Sequence, residues 1–346
     1  MKKAMKKKIA AFGLACLMTA GMQSTVFADD TAAVPTVEKV TKYFEMAEGL
    51  AVPSVTFSFT AEKVTEDAPG AEIGDLSYTN ADAMEPVNGL SGIKKEADIT
   101  FGSFPHDGLY EYTVSETAGT PDNGVTYDTG IYDLKVYVSN EVDGTLKVQS
   151  MTAEKGGTKQ DELSFINTYR KDCSLEISKT TTGSMADKTK DFDFTIKFER
   201  SATENDAVDS YTGKIGNNEK SFKVGEETNF KLHDGEKLVF DSLPAGTRYV
   251  VKEAAVEDGY TPSIKVVENG VMTTNTTVSE REGIASAENG TNLVGENTNS
   301  VAFTNTYQDV PVTGILLNNW SFVLLIALAA GAMLLSKVVK VRERKE

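Results

Sequence analysis

Apolar and polar residues alternate over short runs along most of the chain. Val55-Thr56-Phe57-Ser58-Phe59, Leu134-Lys135-Val136-Tyr137-Val138 and Phe192-Asp193-Phe194-Thr195-Ile196 each put every second residue on one face, the pattern of a strand with one buried side. Clusters such as Glu141-Val142-Asp143-Gly144 and Asn217-Asn218 interrupt the runs, and Gly, Asn and Asp favour turns. No long amphipathic helix is visible, and the stretch from Lys42 to Ala51 reads as a short irregular segment. The pattern predicts an all-β fold. Residues 29–308 suffice for two domains of ordinary size, best described as two tandem Ig-like β-sandwich domains.

The two ends of the chain break this pattern. Lys2, Lys3, Lys6, Lys7 and Lys8 precede an apolar or small run from Ile9 to Met22, and Val26-Phe27-Ala28 follows. A basic head, a short apolar run and a small-x-Ala site make residues 1–28 a signal peptide; the run is too short to be a membrane anchor. Cys16 lacks the bulky aliphatic residue three positions earlier that lipidation prefers, since Gly13 stands there. At the other end, Val310-Pro311-Val312-Thr313-Gly314 is followed by an apolar run, densest from Trp320 to Leu335, and by Lys337, Lys340, Arg342, Arg344 and Lys345. An apolar span with a basic tail halts in a membrane with the tail inside. The pentapeptide resembles a sortase signal with Val in place of Leu, so residues 309–346 read as a sorting signal, transmembrane helix and basic tail.

Between the ends, a repeat divides the body. Each half opens with a strand carrying Lys, has a middle strand ending in Glu, and closes with Phe-x-Asn-Thr-Tyr. The residues are Lys42, Glu116 and Asn167 in the first half and Lys179, Glu253 and Asn305 in the second. Lys and Glu are 74 residues apart in both halves, and Glu and Asn are 51 and 52 apart. The repeat predicts domains at 29–170 and 171–308, joined by a short linker at Arg170 to Ser174 and set end to end.

Strand parity aims these polar residues inward. Residues two apart share a face. Val40 and Phe44 therefore flank Lys42, Leu175 and Ile177 accompany Lys179, and Tyr110, Tyr112 and Val114 accompany Glu116. Tyr249 and Val251 share a face with Glu253, Phe165 with Asn167, and Val301 and Phe303 with Asn305. Buried Lys and Glu are rare unless paired. Burial lowers a Lys pKa and raises a Glu pKa, which turns the amine into a nucleophile. A protonated Glu would hydrogen-bond the Asn side-chain carbonyl, polarise it and shuttle protons while ammonia leaves. The expected product is a Lys–Asn isopeptide bond in each domain, with Glu116 and Glu253 as internal catalysts. A buried Lys–Glu ion pair with Asn as a hydrogen-bond partner is the alternative. Closing a loop of about 125 residues would restrict the unfolded chain by about 5 kcal/mol on the entropy relation used for disulfides.

These residues resemble the Gram-positive, sortase-assembled backbone pilins with isopeptide domains, in particular the streptococcal T-antigen type. The resemblance is carried by Val40-Thr41-Lys42, Pro53, Val55-Thr56-Phe57, Tyr112 to Thr117, Gly124 to Thr129, Phe192-Asp193-Phe194, Leu243 to Gly246 and Tyr249 to Glu253. It implies two Ig-like domains, one Lys–Asn bond in each, and Glu as the internal catalyst. It implies a sortase as partner, which cleaves after Thr313 and transfers its carboxyl to a Lys of a neighbouring copy. Lys159 is the candidate acceptor by position and Lys155 its rival; the Tyr-Pro-Lys motif of other sortase pilins is absent. The fibre would be linked to peptidoglycan directly or through a basal subunit.

Charge and composition fit a secreted, wall-linked location. The whole chain has 35 Lys+Arg and 51 Asp+Glu; outside residues 1–28 and 314–346, 25 basic residues face 49 acidic ones, a net charge of −24. Such a body avoids nucleic acid and anionic surfaces. Without Cys16 only Cys173 remains, so no disulfide forms within the mature chain. His106 and His233 have no Cys or His neighbour in sequence, which argues against a metal site or a His-based hydrolase. No cofactor and no metal are expected, and no enzyme activity beyond a single-turnover intramolecular reaction. The rival reading is a monomeric wall-anchored adhesin, with a host surface ligand as partner.

Overall fold

A computed structural model describes residues 37–308, except 88–89, 121–123, 205–206, 258 and 280, together with 324–326, 328–330 and 332–333. The segment read as a signal peptide and the pentapeptide Val310 to Gly314 lie outside the described residues. Those described beyond residue 323 are helical, and among the described residues no helix is long and apolar enough to cross a membrane.

The body is made of strands, as the alternation predicts. In Ile131–Asn140, Tyr132, Leu134, Val136 and Val138 are buried, while Ile131, Asp133 and Tyr137 are exposed. Phe192, Phe194, Ile196 and Phe198 form the inner row of Phe192–Glu199. Each such side chain contributes about 1.5–3 kcal/mol by leaving water, and a one-residue slip would turn the whole row outward.

Two large sheets build the first domain, with Val55–Phe57 and Leu76–Tyr78 forming a separate two-stranded sheet. One runs in the order Ala71–Ile73, Leu90–Phe101, Lys39–Met46, Leu163–Tyr169, Val125–Thr126, with Glu85–Val87 also paired to Leu90–Phe101. The other runs Thr158–Gln160, Leu146–Lys155, Ile131–Asn140, Gly108–Glu116, Phe59–Lys63. Their inner faces meet through ring contacts, with Phe165 at 5.3 Å from both Phe59 and Tyr132.

The second domain repeats the plan. Its larger sheet runs Asn218–Lys223, Ser210–Ile215, Lys237–Pro244, Asp172–Thr182, Ser300–Tyr307, Tyr260–Glu268, Val271–Thr277. The facing sheet holds Glu227–Leu232, Phe192–Glu199 and Arg248–Glu253, and Ile284–Ala285 and Asn292–Leu293 both pair with the last of these. Phe194 meets Phe303 at 5.1 Å and Phe198 meets Phe240 at 5.0 Å across the core.

In both domains the opening and closing strands lie side by side and parallel. Parallel neighbours need a long crossover, and here the rest of the domain supplies it. The Glu-bearing strand sits in the facing sheet, so its last residue reaches the parallel pair from across the core.

Three local expectations are corrected. Lys42 to Ala51 is not irregular throughout: the opening strand continues to Met46, because Val40, Phe44 and Met46 are all taken into the core. Val55 to Phe59 is not one strand. Val55–Phe57 pairs with Leu76–Tyr78, and Phe59–Lys63 pairs with Gly108–Glu116, so the chain changes sheets at Ser58. The linker is shorter than Arg170 to Ser174, since Asp172, Cys173 and Ser174 already belong to the next strand. Arg170 and Lys171 alone separate the domains, and both are held by carboxylates of the second domain, Glu204 and Glu296.

Candidate functional site

The inward-facing polar residues predicted from parity meet in two sites of the same design. Lys42 is fully buried between Val40 and Phe44, and the Glu116 side chain that reaches it is fully buried too. Lys42 Nζ donates to Glu116 Oε2 at 2.7 Å, and Asn167 Nδ2 donates to Glu116 Oε1 at 2.5 Å. In the second domain, Lys179 Nζ and Asn305 Nδ2 both donate to Glu253 Oε1, at 2.6 and 2.7 Å.

The register of the parallel strands is the same in both. Lys42 stands opposite Phe165 and Lys179 opposite Phe303, while each Asn lies two residues further along the closing strand. That offset keeps Asn on the Lys face of the sheet. Aromatic rings cover the amines: Phe57 lies 4.8 Å from Lys42 Nζ, and Phe192 lies 4.2 Å from Lys179 Nζ. Sequence parity did not single out these rings, because they come from other strands.

Burial sets the protonation balance. Loss of water pushes Lys42 and Lys179 from their ordinary range down to about 8, against the opposing attraction of their glutamates. The same desolvation raises Glu116 and Glu253. Both shifts narrow the gap between the charged pair and the neutral pair, so moving the proton from Lys to Glu costs less than it would in water. The site therefore holds a Lys–Glu ion pair from which a neutral amine and a proton-carrying acid are within easier reach, beside a carboxamide.

One expectation about the chemistry is corrected. The glutamate does not face the Asn carbonyl; in both sites it faces the Asn nitrogen. An ionised carboxylate only accepts hydrogen bonds, so the amide turns its NH₂ toward it. The carbonyl is left to find another donor, and here the domains differ. The backbone N–H of Asp128 donates to Asn167 Oδ1 at 2.7 Å. Among the described residues, Asn305 Oδ1 and Glu253 Oε2 have no hydrogen-bond partner.

The other candidates stand outside these sites. Lys159 is exposed on the short strand Thr158–Gln160, opposite Glu154. Lys155 is held over the Tyr132 ring and lies 3.8 Å from Asp128 Oδ1. His106 contacts Asp67. His233 meets Asp191 and Glu236, with one ligand-type atom from each within 4.8 Å of the others; the pairing of His233 Nδ1 with Glu236 Oε2 at 2.8 Å accounts for this surface cluster. Cys173 is buried and free, and burial raises its thiol, which keeps it unreactive.

Residues 37–170 match the family described as Spy0128-like isopeptide containing domain, and residues 173–307 match a domain of unknown function, DUF7601. A curated pilin of Streptococcus pyogenes serotype M1 is 26% identical over 344 residues, covering 92% of this chain and 96% of that protein. The pilus tip adhesin Cpa of Streptococcus pyogenes is 39% identical over 84 residues, 24% of this chain and 12% of the adhesin. Among solved structures, the major pilin from Streptococcus pyogenes is 23% identical with a TM-score of 0.37, over 78% of this chain and 98% of that one. The T3.2 major pilin of the same species is 25% identical with a TM-score of 0.37, over 79% and 99%. The resemblance to streptococcal backbone pilins of the T-antigen type, read from the residues, is shared by the family match and the curated pilin.

Proposed function

We propose that this chain is a pilus subunit of a Gram-positive cell surface, each of whose two domains joins its first and last strands by a Lys–Asn isopeptide bond. The observation that carries the reading is the duplicated buried site, in which one Glu touches both Lys and Asn at the same strand register. A polar network kept only for packing has no reason to recur with that register and with burial lowering its Lys pKa to about 8.

The reaction needs only what the site holds. Glu116 takes a proton from Lys42. The neutral amine attacks Cγ of Asn167, which is fixed beside it by the strand pair, so folding has already met the entropy of approach. The carboxyl passes its proton to Nδ2, the C–N bond breaks as ammonia leaves, and the freed carboxylate takes the second proton from Nζ, leaving a neutral amide. Lys179, Glu253 and Asn305 act likewise. The glutamates turn over once, on their own chain.

Parallel pairing gives the bond a mechanical role. The chain enters at one end of the opening strand and leaves at the opposite end of the closing strand, so tension shears the pair and passes through the cross-link. The segment between the linked residues is shielded from load. In a body without disulfides this is a source of durability suited to a fibre.

Polymerisation would follow the sorting signal: a sortase cleaves after Thr313 and joins its carboxyl to a neighbouring copy, with the exposed Lys159 as acceptor, and the fibre is anchored to peptidoglycan. The match to a curated pilin along nearly its full length supports a fibre subunit over a monomeric adhesin. Intact mass of the purified chain, with peptide mapping, tests the reading. A deficit of two ammonia molecules, with Lys42 joined to Asn167 and Lys179 to Asn305, is expected; an undiminished mass would reduce both sites to packed polar networks.

A further inference from the structure

The two Asn carbonyls meet different surroundings. Beside the first domain's closing strand, the neighbouring strand is only Val125–Thr126, paired to Tyr169 and Thr168. The chain then leaves the ladder and turns at Asp128, which frees its N–H to reach Asn167 Oδ1 at 2.7 Å. The turn is braced by its own side chain: Asp128 Oδ1 accepts from Gly130 N at 2.7 Å and Oδ2 from Ile166 N at 3.0 Å. In the second domain the neighbouring strand, Tyr260–Glu268, stays in register past the site and sets Pro262 opposite Asn305. Proline has no N–H to give, and Asn305 Oδ1 is buried without a donor among the described residues.

We propose that the Asp128 backbone N–H is a catalytic donor for the first domain's cross-link, stabilising the oxyanion that forms on Asn167 Oδ1, and that the second domain reacts more slowly because it lacks this donor. The inference rests on the cross-linking reading above. When the Lys42 amine adds to Cγ, the carbonyl π pair moves onto Oδ1, where the N–H already points. It returns as the bond to Nδ2 breaks, with Glu116 having passed one proton from Nζ to the departing ammonia and taken up the second. Donors set in place before charge develops are among the strongest catalytic devices. The Asp128 carboxylate holds the turn and is a positioning group.

The test follows both bonds in one molecule. The full chain is pulse-labelled during cell-free synthesis and quenched at intervals, and the two cross-linked peptides are quantified by mass spectrometry. In the native chain the Lys42–Asn167 peptide is expected to appear about tenfold or more ahead of Lys179–Asn305. Asp128→Ala is expected to slow the first by about 10²-fold, the scale of one lost oxyanion donor, and to leave the second unchanged. A purely electrostatic role has the opposite sign. The Asp128 charge favours protonated Lys42, so removing it would speed the reaction. Equal rates in the native chain overturn the proposal, as does an Asp128→Ala chain, folded by circular dichroism, that links at an unchanged or faster rate. Should that variant fail to fold, the ratio of rates in the native chain still decides. Absence of both bonds from the native chain overturns the cross-linking reading itself, a different result from two bonds forming at equal rates.

Discussion

The first and second domains carry the same three residues at the same register, yet their sites are not equally complete. Glu116 uses both carboxylate oxygens, and the Asn167 carbonyl is held by a backbone donor. Glu253 gathers both donors on one oxygen, leaving its other oxygen and the Asn305 carbonyl unpartnered among the described residues. A buried unpaired polar atom costs about 1–3 kcal/mol, so the second site is the more strained reactant. The cause lies in the length of the neighbouring strand. A short one frees its backbone to serve the site, whereas a long one commits its backbone to the ladder. On the proposed cross-linking, the shared residues determine which reaction is available, and the strand beside them determines how well its charge is accommodated.

The largest effect expected from breaking the comparison is mechanical. Glu116→Ala should leave the first domain uncross-linked and extensible by about 400 Å under load, at 3.3–3.6 Å per residue for the freed segment. Glu253→Ala should do the same for the second domain only. Single-molecule pulling reads this directly, and a Glu116→Ala chain that stays inextensible would remove the catalytic assignment.

Next in size are the aromatic covers. Phe192→Ala and Phe57→Ala should each cost about 3–5 kcal/mol in thermal unfolding and admit water to the amine, raising the Lys pKa and slowing cross-linking. The effect should be greater for Phe192, whose ring lies closer to its amine. Equal effects would mean that packing, not desolvation, is what the rings supply.

A smaller and common effect is expected from pH. The reactive neutral pair carries the same number of protons as the ion pair, so the rate should be level across neutral pH. Above about 8, where Lys42 and Lys179 lose their proton, the glutamate is left ionised, with no proton to polarise the carboxamide until it takes one from the attacking amine, and the rate should fall toward tenfold per pH unit. The fall should begin at the same pH in both domains even though their rates differ; separate midpoints would show that the sites differ in proton affinity as well as in carbonyl stabilisation.

The smallest change in the domains themselves is expected from Lys159→Arg. This exposed substitution should alter stability by less than about 0.5 kcal/mol while abolishing polymer in a sortase reaction read by gel. Lys155→Arg should leave polymer intact; the reverse outcome would move the acceptor to Lys155.

Much of the site was legible because strands have a period of two. Parity alone placed Lys42, Glu116, Asn167, Lys179, Glu253 and Asn305 on inner faces, and the equal spacings paired them. Local extent was less legible. The opening strand ran past Lys42 to Met46, and the chain changed sheets at Ser58, because core packing and strand partners decide where a run ends. Asp128 was visible only as part of a turn-like segment. Nothing in Tyr127-Asp128-Thr129-Gly130 states which distant carbonyl its N–H will meet.

By itself the sequence determined an all-β chain of two repeated units, each with an amine, an acid and a carboxamide turned inward, since alternation and repetition are local properties of the chain. Only the tertiary structure decided that the first and last strands run parallel and adjacent, that the acid arrives from the facing sheet with the amide nitrogen toward it, and that one site has a donor for its carbonyl while the other has none among the described residues. Those outcomes depend on which strands become neighbours and how far each extends, and such pairings between distant segments are settled by burial and hydrogen-bond satisfaction across the whole domain.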